Sequence, residues 1–375
     1  MQAADSTPAS LASWLRLQHT DGIGLLTAHA LLARFGTPEA VFAAHRAQLL
    51  AVVGPAKADA VLAPPDPALA ARHAAVLAWC AQPGNRVLCF GDGAYPALLR
   101  DIVAAPLLLY VRGRAELLGQ DGVAVVGSRH ASLQGRQTAE RMAWALADAG
   151  LVIISGLALG IDAAAHAGGL RGAGSTVAVL GTGIDRIYPD ANSALAQRIA
   201  EEGCLISEYA LGTPPLRDNF PRRNRVISGL ARGVLVVEAA AKSGSLITAR
   251  LAAAQGRDVY AMPGSVHAAL AKGCHQLIRA EGAKLVETVD DVLAELSMQQ
   301  AARAGSFVGN GARSHFDDSF VDRVLVALGD TTVRAEELAN LLGQPATALQ
   351  AQLLALELAG LVERLPGGLY QRLQP

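Results

Sequence analysis

From about residue 84 onward, short and almost wholly apolar runs alternate with stretches of helical periodicity. Strand candidates lie at 87–90, 107–111, 123–126, 151–155, 176–180, 204–207, 233–237 and 258–261. Strands that are apolar on both faces are expected where helices cover both sides of a sheet, and such alternation is typical of parallel strands joined by crossover helices. The sequence therefore predicts an α/β fold, with a Rossmann-like doubly wound, mostly parallel sheet over residues 84–297.

The first 75 residues predict a separate helical domain. Short helical patterns surround the glycine turn Asp21-Gly22-Ile23-Gly24, and a second turn follows at Val53-Gly54-Pro55. This arrangement is helix-hairpin-helix-like, in which glycines let amides at a helix start approach phosphate. The second turn lacks the Gly-x-Gly pattern and has few cations nearby, so packing alone is the favoured interpretation. The proline-rich segment 63–67 breaks the chain, and we expect a domain boundary there.

Residues 298–317 mix glycine, serine, alanine and polar residues without a period, which indicates a flexible linker. Three helical patterns and a small hairpin then predict a winged-helix-like domain over residues 318–375. Its candidate recognition helix, residues 346–360, carries Glu357 and neither lysine nor arginine. Because cations are needed to hold a DNA backbone, this domain is predicted to be an interaction or regulatory module.

Composition narrows the function classes. Of 375 residues, 51% are hydrophobic, which excludes a disordered scaffold, and the formal net charge of −1 argues against a histone-like binder. The four cysteines lie far apart without metal-ligand or redox spacing, so we expect reduced thiols, no metal and no cofactor. Neither a leader pattern nor an apolar run long enough to cross a bilayer is present, so we expect a cytoplasmic protein without membrane contact.

A basic cluster stands out against this neutral background. Arg217 precedes the run Phe220-Pro221-Arg222-Arg223-Asn224-Arg225. Guanidiniums at this density suit phosphate recognition, and the Phe220 ring can stack on a base. The combination predicts a site for single-stranded nucleic acid, whereas taken alone it is also compatible with a solvated charge run.

Four loops of small or polar residues follow strand candidates. They are 126–129, with Gly127, Ser128 and Arg129; 155–162; 181–185, followed by Tyr188; and 242–248, with Lys242, Ser243, Gly244 and Ser245. Ligands bind at the carboxyl ends of strands in open α/β sheets, and the first and fourth loops each precede a helix start that favours phosphate. The third loop is equally consistent with a tight turn.

Asp162 and His166 lie one helical turn apart after the second loop. Such a pair suits acid–base chemistry, but no nucleophile or metal ligand accompanies it. The favoured interpretation is that Asp162 caps the helix and His166 supports it. We therefore predict no catalytic residues.

Five motifs occur together in this order: Val-Gly-Ser-Arg, Ser-Gly-Leu-Ala-Leu-Gly-Ile-Asp, Gly-Thr-Gly-Ile-Asp, Phe-Pro-Arg-Arg-Asn-Arg and Lys-Ser-Gly-Ser-Leu. They resemble the bacterial DNA-processing family DprA, also called Smf, over about residues 85–295. The resemblance implies a protein without enzymatic activity that binds single-stranded DNA, protects incoming strands in natural transformation and loads the RecA recombinase. It also implies a homodimer.

The resemblance further assigns the site residues. Arg129 is expected to contact phosphate, Arg217 to supply a second cation and Phe220 to stack on a base. Arg222, Arg223, Asn224 and Arg225 are expected to form the groove wall, completed by Lys242, Ser243, Gly244 and Ser245. His275 stands where the family more usually has asparagine, and a histidine can also donate a hydrogen bond.

Two other function classes remain open at this point. One is a nucleotide-processing Rossmann-like enzyme, in which Asp162, His166 and Glu238 would serve acid–base chemistry. The other is an adaptor whose C-terminal domain recruits a partner, so that DNA binding would be dispensable.

Overall fold

The computed structural model describes residues 8–305, 324–325, 327–328, 332–343, 346–358, 361–365 and 368–372. The N-terminal region is a bundle of helices: α1 (Pro8–His19), α2 (Leu25–Phe35), α3 (Pro38–Ala43), α4 (Arg46–Leu50), α5 (Pro55–Leu62) and α6 (Leu69–Cys80). Both predicted glycine turns are helix connections. Gly24 is the N-cap of α2 and Gly54 is the N-cap of α5.

A single sheet forms the centre of the molecule. Its strands are β1 (Asn85–Cys89), β2 (Leu108–Gly113), β3 (Gly122–Val126), β4 (Val152–Ser155), β5 (Thr176–Val179), β6 (Cys204–Ser207), β7 (Gly233–Val236), β8 (Asp258–Ala261) and β9 (Lys284–Leu285). The strand order is β1-β2-β6-β5-β4-β3-β7-β8-β9. Strands β3 to β9 pair in parallel, whereas β1 and β2 form an antiparallel edge. The predicted mostly parallel sheet is confirmed.

Helices cover both faces of this sheet. They are α7 (Ala97–Arg100), α8 (Leu133–Asp148), α9 (Ile161–Gly169), α10 (Ser193–Glu202), α11 (Asn219–Leu230), α12 (Ser245–Ala254), α13 (Lys272–Ala280) and α14 (Val289–Gly305), with 3-10 turns at Ala115–Gly119, Asp190–Asn192 and Ala269–Ala271. Val123 and Val125 of β3 join the core under α8 and α9, and Ala124 and Val126 join the core under α11 and α12. Burial on both faces explains why β3, Gly-Val-Ala-Val-Val, lacks polar residues.

The N-terminal bundle shares a hydrophobic core with the sheet. Trp14 and Leu31 belong to the same buried cluster as Leu108 of β2 and Leu205 of β6. The ring of Trp79 meets that of Tyr110 edge-on, with 5.8 Å between centroids. The bundle is therefore packed onto the antiparallel side of the sheet by apolar contact.

The C-terminal domain is a winged helix. Its described elements are β10 (Val333–Arg334), α15 (Ala335–Leu342), α16 (Ala346–Leu358), β11 (Val362–Leu365) and β12 (Leu369–Arg372), with strand order β10-β12-β11. Leu338, Leu353 and Val362 lie in its own core.

Helix α14 differs from the sequence prediction, because it extends to Gly305 through residues predicted to be linker. Met298, Gln299 and the alanines that follow are good helix formers, which accounts for the extension. The rest of the predicted linker, residues 306–317, lies outside the described residues. No helix in the described ranges is long and apolar enough to cross a membrane.

Candidate nucleic-acid interface

The predicted glycine loops meet at one edge of the sheet. Parallel strands β3, β4, β5 and β7 are contiguous in the order β5-β4-β3-β7, so the loops at their carboxyl ends are neighbours. The chain reverses direction across the sheet between β3 and β7, because β4 to β6 lie on one side of β3 and β7 to β9 on the other. Ligands in doubly wound sheets bind at such a switch point.

The side chains of Arg129, Tyr188 and Phe220 form a surface that we call the aromatic platform. Phe220 lies in the first turn of α11, and its ring centroid is 5.5 Å from that of Tyr188. The guanidinium carbon of Arg129 lies 5.8 Å from the Phe220 centroid. Gly181 lies behind the ring, because a Cβ built at this glycine would be 2.7 Å from Phe220 Cδ1.

The platform is accessible and cationic. Tyr188 is 46% exposed, Arg129 is exposed, and Phe220 is half-buried. Arg217 is exposed in the turn that leads into α11. Neither Arg129 nor Arg217 forms an ion pair with a carboxylate of the described residues. Both guanidiniums are therefore available to an anionic ligand.

The arginine run does not form one solvent-facing wall, which corrects the expectation for Arg222, Arg223 and Arg225. It lies on α11, and successive residues of a helix point in different directions. Nη1 of Arg223 donates to the carbonyl oxygens of Gly156, at 2.7 Å, and Val179. Burial lowers the pKa of Arg223 to about 10, so the side chain is still charged at neutral pH.

The other members of the run also have internal partners. Arg225 donates from Nη1 and Nη2 to the two carboxylate oxygens of Glu208, at 2.7 and 2.6 Å. Arg222 donates to Oε1 of Glu357 in the winged helix, at 2.9 Å. Asn224 is half-buried. Arg223 and Arg225 are therefore buried against internal acceptors, while Phe220 lies partly at the surface.

A carboxylate occupies the N-terminus of α8. This corrects the expectation that the N-terminus of this helix binds phosphate. Glu238, after β7, accepts hydrogen bonds from the amide and the hydroxyl of Ser132, the N-cap of α8, at 2.9 and 2.6 Å. A Cβ at Gly135 would lie 2.2 Å from this carboxyl group. Since dinucleotide pyrophosphates bind at this position in Rossmann folds, Glu238 fills the place that such a ligand would need.

The remaining residues of the first loop position Arg129. Ser128 is buried, and its hydroxyl accepts from the amide of His130 at 3.1 Å. A Cβ at Gly127 would lie 2.6 Å from Ile161, so this glycine permits close packing of α9. Gly127 and Ser128 therefore shape the loop, and Arg129 is the member that faces solvent.

The fourth loop precedes α12 on the strand next to β3. Lys242 and Gly244 are exposed, and the hydroxyls of Ser243 and Ser245 lie 2.8 Å apart. The first-turn amides of α12 already have acceptors, because the Ser245 amide donates to Ser243 Oγ at 3.4 Å and the next two amides donate to the carbonyl oxygens of Ser243 and Gly244. This corrects the expectation of a phosphate-binding helix start here, and the loop supplies an ammonium and hydroxyls along the same edge as Arg129.

Asp162 and His166 hold the second loop in place. Asp162 accepts from the amides of Gly156 and Ala158 at 3.1 and 3.4 Å, and burial raises its pKa. His166 Nε2 accepts from the amide of Leu157 at 3.2 Å, so Nδ1 carries the proton and donates to Thr176 Oγ1 at 2.7 Å. Burial lowers the pKa of His166 to about 3.

These contacts give Asp162, His166 and Glu238 structural roles, so none of the three supports the nucleotide-enzyme alternative. His275, at the position that departs from the family pattern, lies 2.9 Å through Nε2 from the carbonyl oxygen of Gly264. Among the described residues, no cluster of His, Cys, Asp and Glu is arranged to hold a metal ion.

A family model described as DNA recombination-mediator protein A matches residues 86–297, more than half of the chain. The chain belongs to this family. A second model, the DprA winged helix domain, matches residues 317–368. Among curated relatives, DNA processing protein DprA of Streptococcus pneumoniae is 51% identical over 204 residues, covering 54% of this chain and 72% of the relative. Protein Smf of Escherichia coli is 40% identical over 304 residues, 80% of each chain.

Solved structures of DprA proteins share the fold. The X-ray structure of DprA from S. pneumoniae superposes with a TM-score of 0.66 at 38% identity, covering 78% of this chain and 99% of that one. DprA from Helicobacter pylori has a TM-score of 0.51 at 29% identity, covering 54% and 93%, and is described as having a unique single-stranded DNA binding mode.

The sequence prediction did not include Tyr188 among the site residues of this DprA-family chain. Tyr188 belongs to the loop after β5, whereas Phe220 follows β6, and the chain order gives no sign that the two rings meet. One sequence feature could have identified Tyr188. It is an aromatic residue in a loop at the carboxyl end of a strand, where ligands bind in such sheets.

Proposed function

We propose that this DprA-family protein binds single-stranded DNA across the aromatic platform and acts as a recombination mediator. The observation that carries the proposal is the Phe220 ring, held against Gly181 between Tyr188 and the unpaired guanidinium of Arg129. Aromatic rings stack on any base, and each stacked base contributes about 1–3 kcal/mol to binding. Base preference is therefore expected to be weak.

The cations around the platform would contact the strand's phosphates. Arg129 and Arg217 are exposed without a carboxylate partner in the described part of the chain, and Lys242 is exposed on the neighbouring loop. The hydroxyls of Ser243 and Ser245 lie on the same loop as Lys242. A duplex keeps its bases stacked inside, so the platform favours a single strand over a duplex.

We also propose that the protein protects incoming single strands during natural transformation and loads RecA recombinase onto them. The family's description as a DNA recombination mediator supports the recombination part of this role. The single-stranded DNA binding described for the H. pylori relative supports the same ligand here. We further propose that the protein acts as a homodimer, because two joined interfaces would raise the avidity for a long strand.

The test is the affinity for a fluorescent dT strand and for a matched duplex, measured across a salt series. Phe220→Ala should weaken strand binding by about 1–3 kcal/mol, and Arg129→Ala should reduce the salt slope by about 0.7. Arg141→Ala, at an exposed position of α8, is the matched control for lost charge and should leave the affinity and the salt slope unchanged. Strand affinity that is equal in wild type, Phe220→Ala and Arg129→Ala would refute the interface.

The mediator role needs a separate measurement. RecA filament formation on a dT strand should be faster when the wild-type protein is added, and the Phe220→Ala variant should lose this effect. A protein that binds the strand but leaves the RecA rate unchanged would be a protective binder without mediator activity.

A further inference from the structure

Glu363, on strand β11 of the winged helix, places its carboxylate at the start of α2 in the N-terminal bundle. Oε1 accepts a hydrogen bond from the amide of Thr27 at 3.0 Å, and Oε2 accepts one from the Thr27 hydroxyl at 2.7 Å. The ammonium of Lys57, in the first turn of α5, pairs with the same carboxylate. The Glu363 side chain is only 1% exposed.

The groups around this carboxylate form a built anion site. A first-turn amide, a hydroxyl and an ammonium converge on it, and these are the donors that phosphate oxygens accept. The two glycine turns supply these donors together, because Thr27 follows Gly24 of the first turn and Lys57 follows Gly54 of the second. Lys57 also donates to the Thr27 hydroxyl at 2.8 Å, which links the two turns.

Gly24 leaves the room that the anion occupies. A Cβ built at Gly24 would lie 2.6 Å from Oε1 of Glu363 and 2.7 Å from its Cγ. Any side chain at this position would therefore exclude the carboxylate from the helix start. The glycine allows an anionic group to approach the start of α2 closely, and Glu363 of the winged helix fills this space.

The winged helix also covers Arg222, a cation on α11. Glu357 of α16 pairs with Arg222, and Gln350 and Arg364 contact Asp218 at 2.5 and 3.6 Å. Nη1 of Arg222 and Oε2 of Glu357 are buried without a hydrogen-bond partner in the described part of the molecule. A buried ion pair with unsatisfied atoms contributes little net stability, so a competing anion can displace it.

We propose that the start of α2, with Thr27 and Lys57, is a second phosphate-binding site for the DNA strand, and that Glu363 occupies it as a phosphate mimic until a strand displaces the winged helix. This proposal rests on the proposed function. The surface under the winged helix runs from Lys57 to Asp218, the N-cap of α11, and Arg222 on α11, the helix that carries Phe220. A long DNA strand can replace the carboxylates of Glu357 and Glu363 at the same time, whereas a free phosphate ion competes with only one of them.

The first test compares the affinity of full-length variants for a long dT strand. Removing the mimic in Glu363→Ala should raise the affinity by about threefold to tenfold and steepen the salt slope by about 0.7, the value for one more strand phosphate. Glu336→Ala removes an exposed carboxylate from the same domain and should leave the affinity unchanged. Adding Lys57→Gln to Glu363→Ala should cancel the gain.

Three results would overturn the proposal. In the first, Glu363→Ala binds the long dT strand no more tightly than Glu336→Ala does. In the second, the increase in affinity persists when Lys57→Gln is added. In the third, the increase is equally large on a dT strand too short to extend beyond the platform. The third result would place the effect at the platform itself. Failure of the proposed function is distinguishable, because Phe220→Ala would then bind as tightly as wild type whether or not Glu363 is present.

A second measurement uses the wild-type chain, in case Glu363→Ala does not fold. Carbodiimide labelling of carboxylates is followed with and without a saturating long dT strand. Glu363, whose side chain is 1% exposed, should become labelled as the winged helix leaves, whereas the exposed Glu336 should be labelled in both states. Unchanged labelling of Glu363 at saturation would refute displacement of the winged helix.

Discussion

Arg223 of α11 donates from Nη1 to the carbonyl oxygen of Gly156, the first residue after β4, at 2.7 Å. The same nitrogen donates to the carbonyl oxygen of Val179 at the end of β5. Arg223 is 4% exposed. One buried guanidinium therefore ties the helix that carries Phe220 to two adjacent strand ends, and it sets the position of the platform without facing the solvent.

Replacing Arg223 with alanine should destabilise the protein. Hydrogen bonds to charged groups contribute about 1.5–3 kcal/mol each, and the carbonyl oxygens of Gly156 and Val179 would lose their donor. We expect the free energy of unfolding in urea to fall by about 3 kcal/mol. Arg141→Ala, at an exposed position of α8, should change it by less than about 0.5 kcal/mol. Equal effects of the two substitutions would contradict the internal role of Arg223.

The pair of Arg225 and Glu208 gives a second prediction about stability. Both side chains are buried, and the contact is bidentate. Arg225→Ala leaves the Glu208 carboxylate buried without a partner and should cost about 3–5 kcal/mol. Thermal or urea unfolding measures the loss. Arg225→Met combined with Glu208→Leu should regain much of it, and a double variant as unstable as Arg225→Ala would show that the unpaired charge is not the cause.

Gly181→Ala should weaken strand binding without unfolding the protein. The new methyl group would meet the Phe220 ring at 2.7 Å, and the half-buried ring can move outward. Because stacking contributes about 1–3 kcal/mol per base, we expect a loss of dT affinity of about fivefold to tenfold. Gly119→Ala, where nothing lies within 4 Å of the added Cβ, is the control. Unchanged affinity in Gly181→Ala would mean that ring position does not matter.

His166 predicts how stability depends on pH. Burial lowers its pKa from 6.5 to about 3 in the folded chain. Between these values the unfolded chain binds a proton that the folded chain does not. The contribution of His166 to the free energy of unfolding is therefore complete above pH 6.5 and falls as the pH falls, by up to about 1.4 kcal/mol per pH unit.

The measurement for this prediction is urea unfolding of wild type and His166→Gln between pH 7 and pH 4. Other groups also change the stability with pH, including Asp162, whose pKa is raised by burial. The difference between the two curves isolates His166. Wild type should lose stability faster than the variant toward low pH, and parallel curves would show that His166 is not held neutral.

Strands β3 to β7 were predictable because each is buried on both faces, so its apolar run is visible without knowledge of its neighbours. Strand β9, with the two residues Lys284 and Leu285, is too short to show a period and was missed. The helical extension through Gly305 was missed because small and polar residues form helices as well as linkers.

The site was predictable in part. Arg129, Arg217 and Phe220 follow predicted strands, and all three lie at least partly at the surface. Tyr188 was missed because its partner ring comes from a different loop. Glu238 was not predicted to occupy the start of α8, since its contact with Ser132 depends on β7 lying beside β3, which chain order does not reveal.

The sequence by itself determined the strands, the two glycine turns and the presence of a basic, aromatic cluster, because each is a local pattern of residue types. Only the tertiary structure decided which cations remain free. Arg129 and Arg217 face solvent, whereas Arg223 meets backbone carbonyls and Arg222 meets Glu357. The physical reason is that a guanidinium binds any acceptor within reach, and the fold determines whether that acceptor comes from the protein or from a ligand.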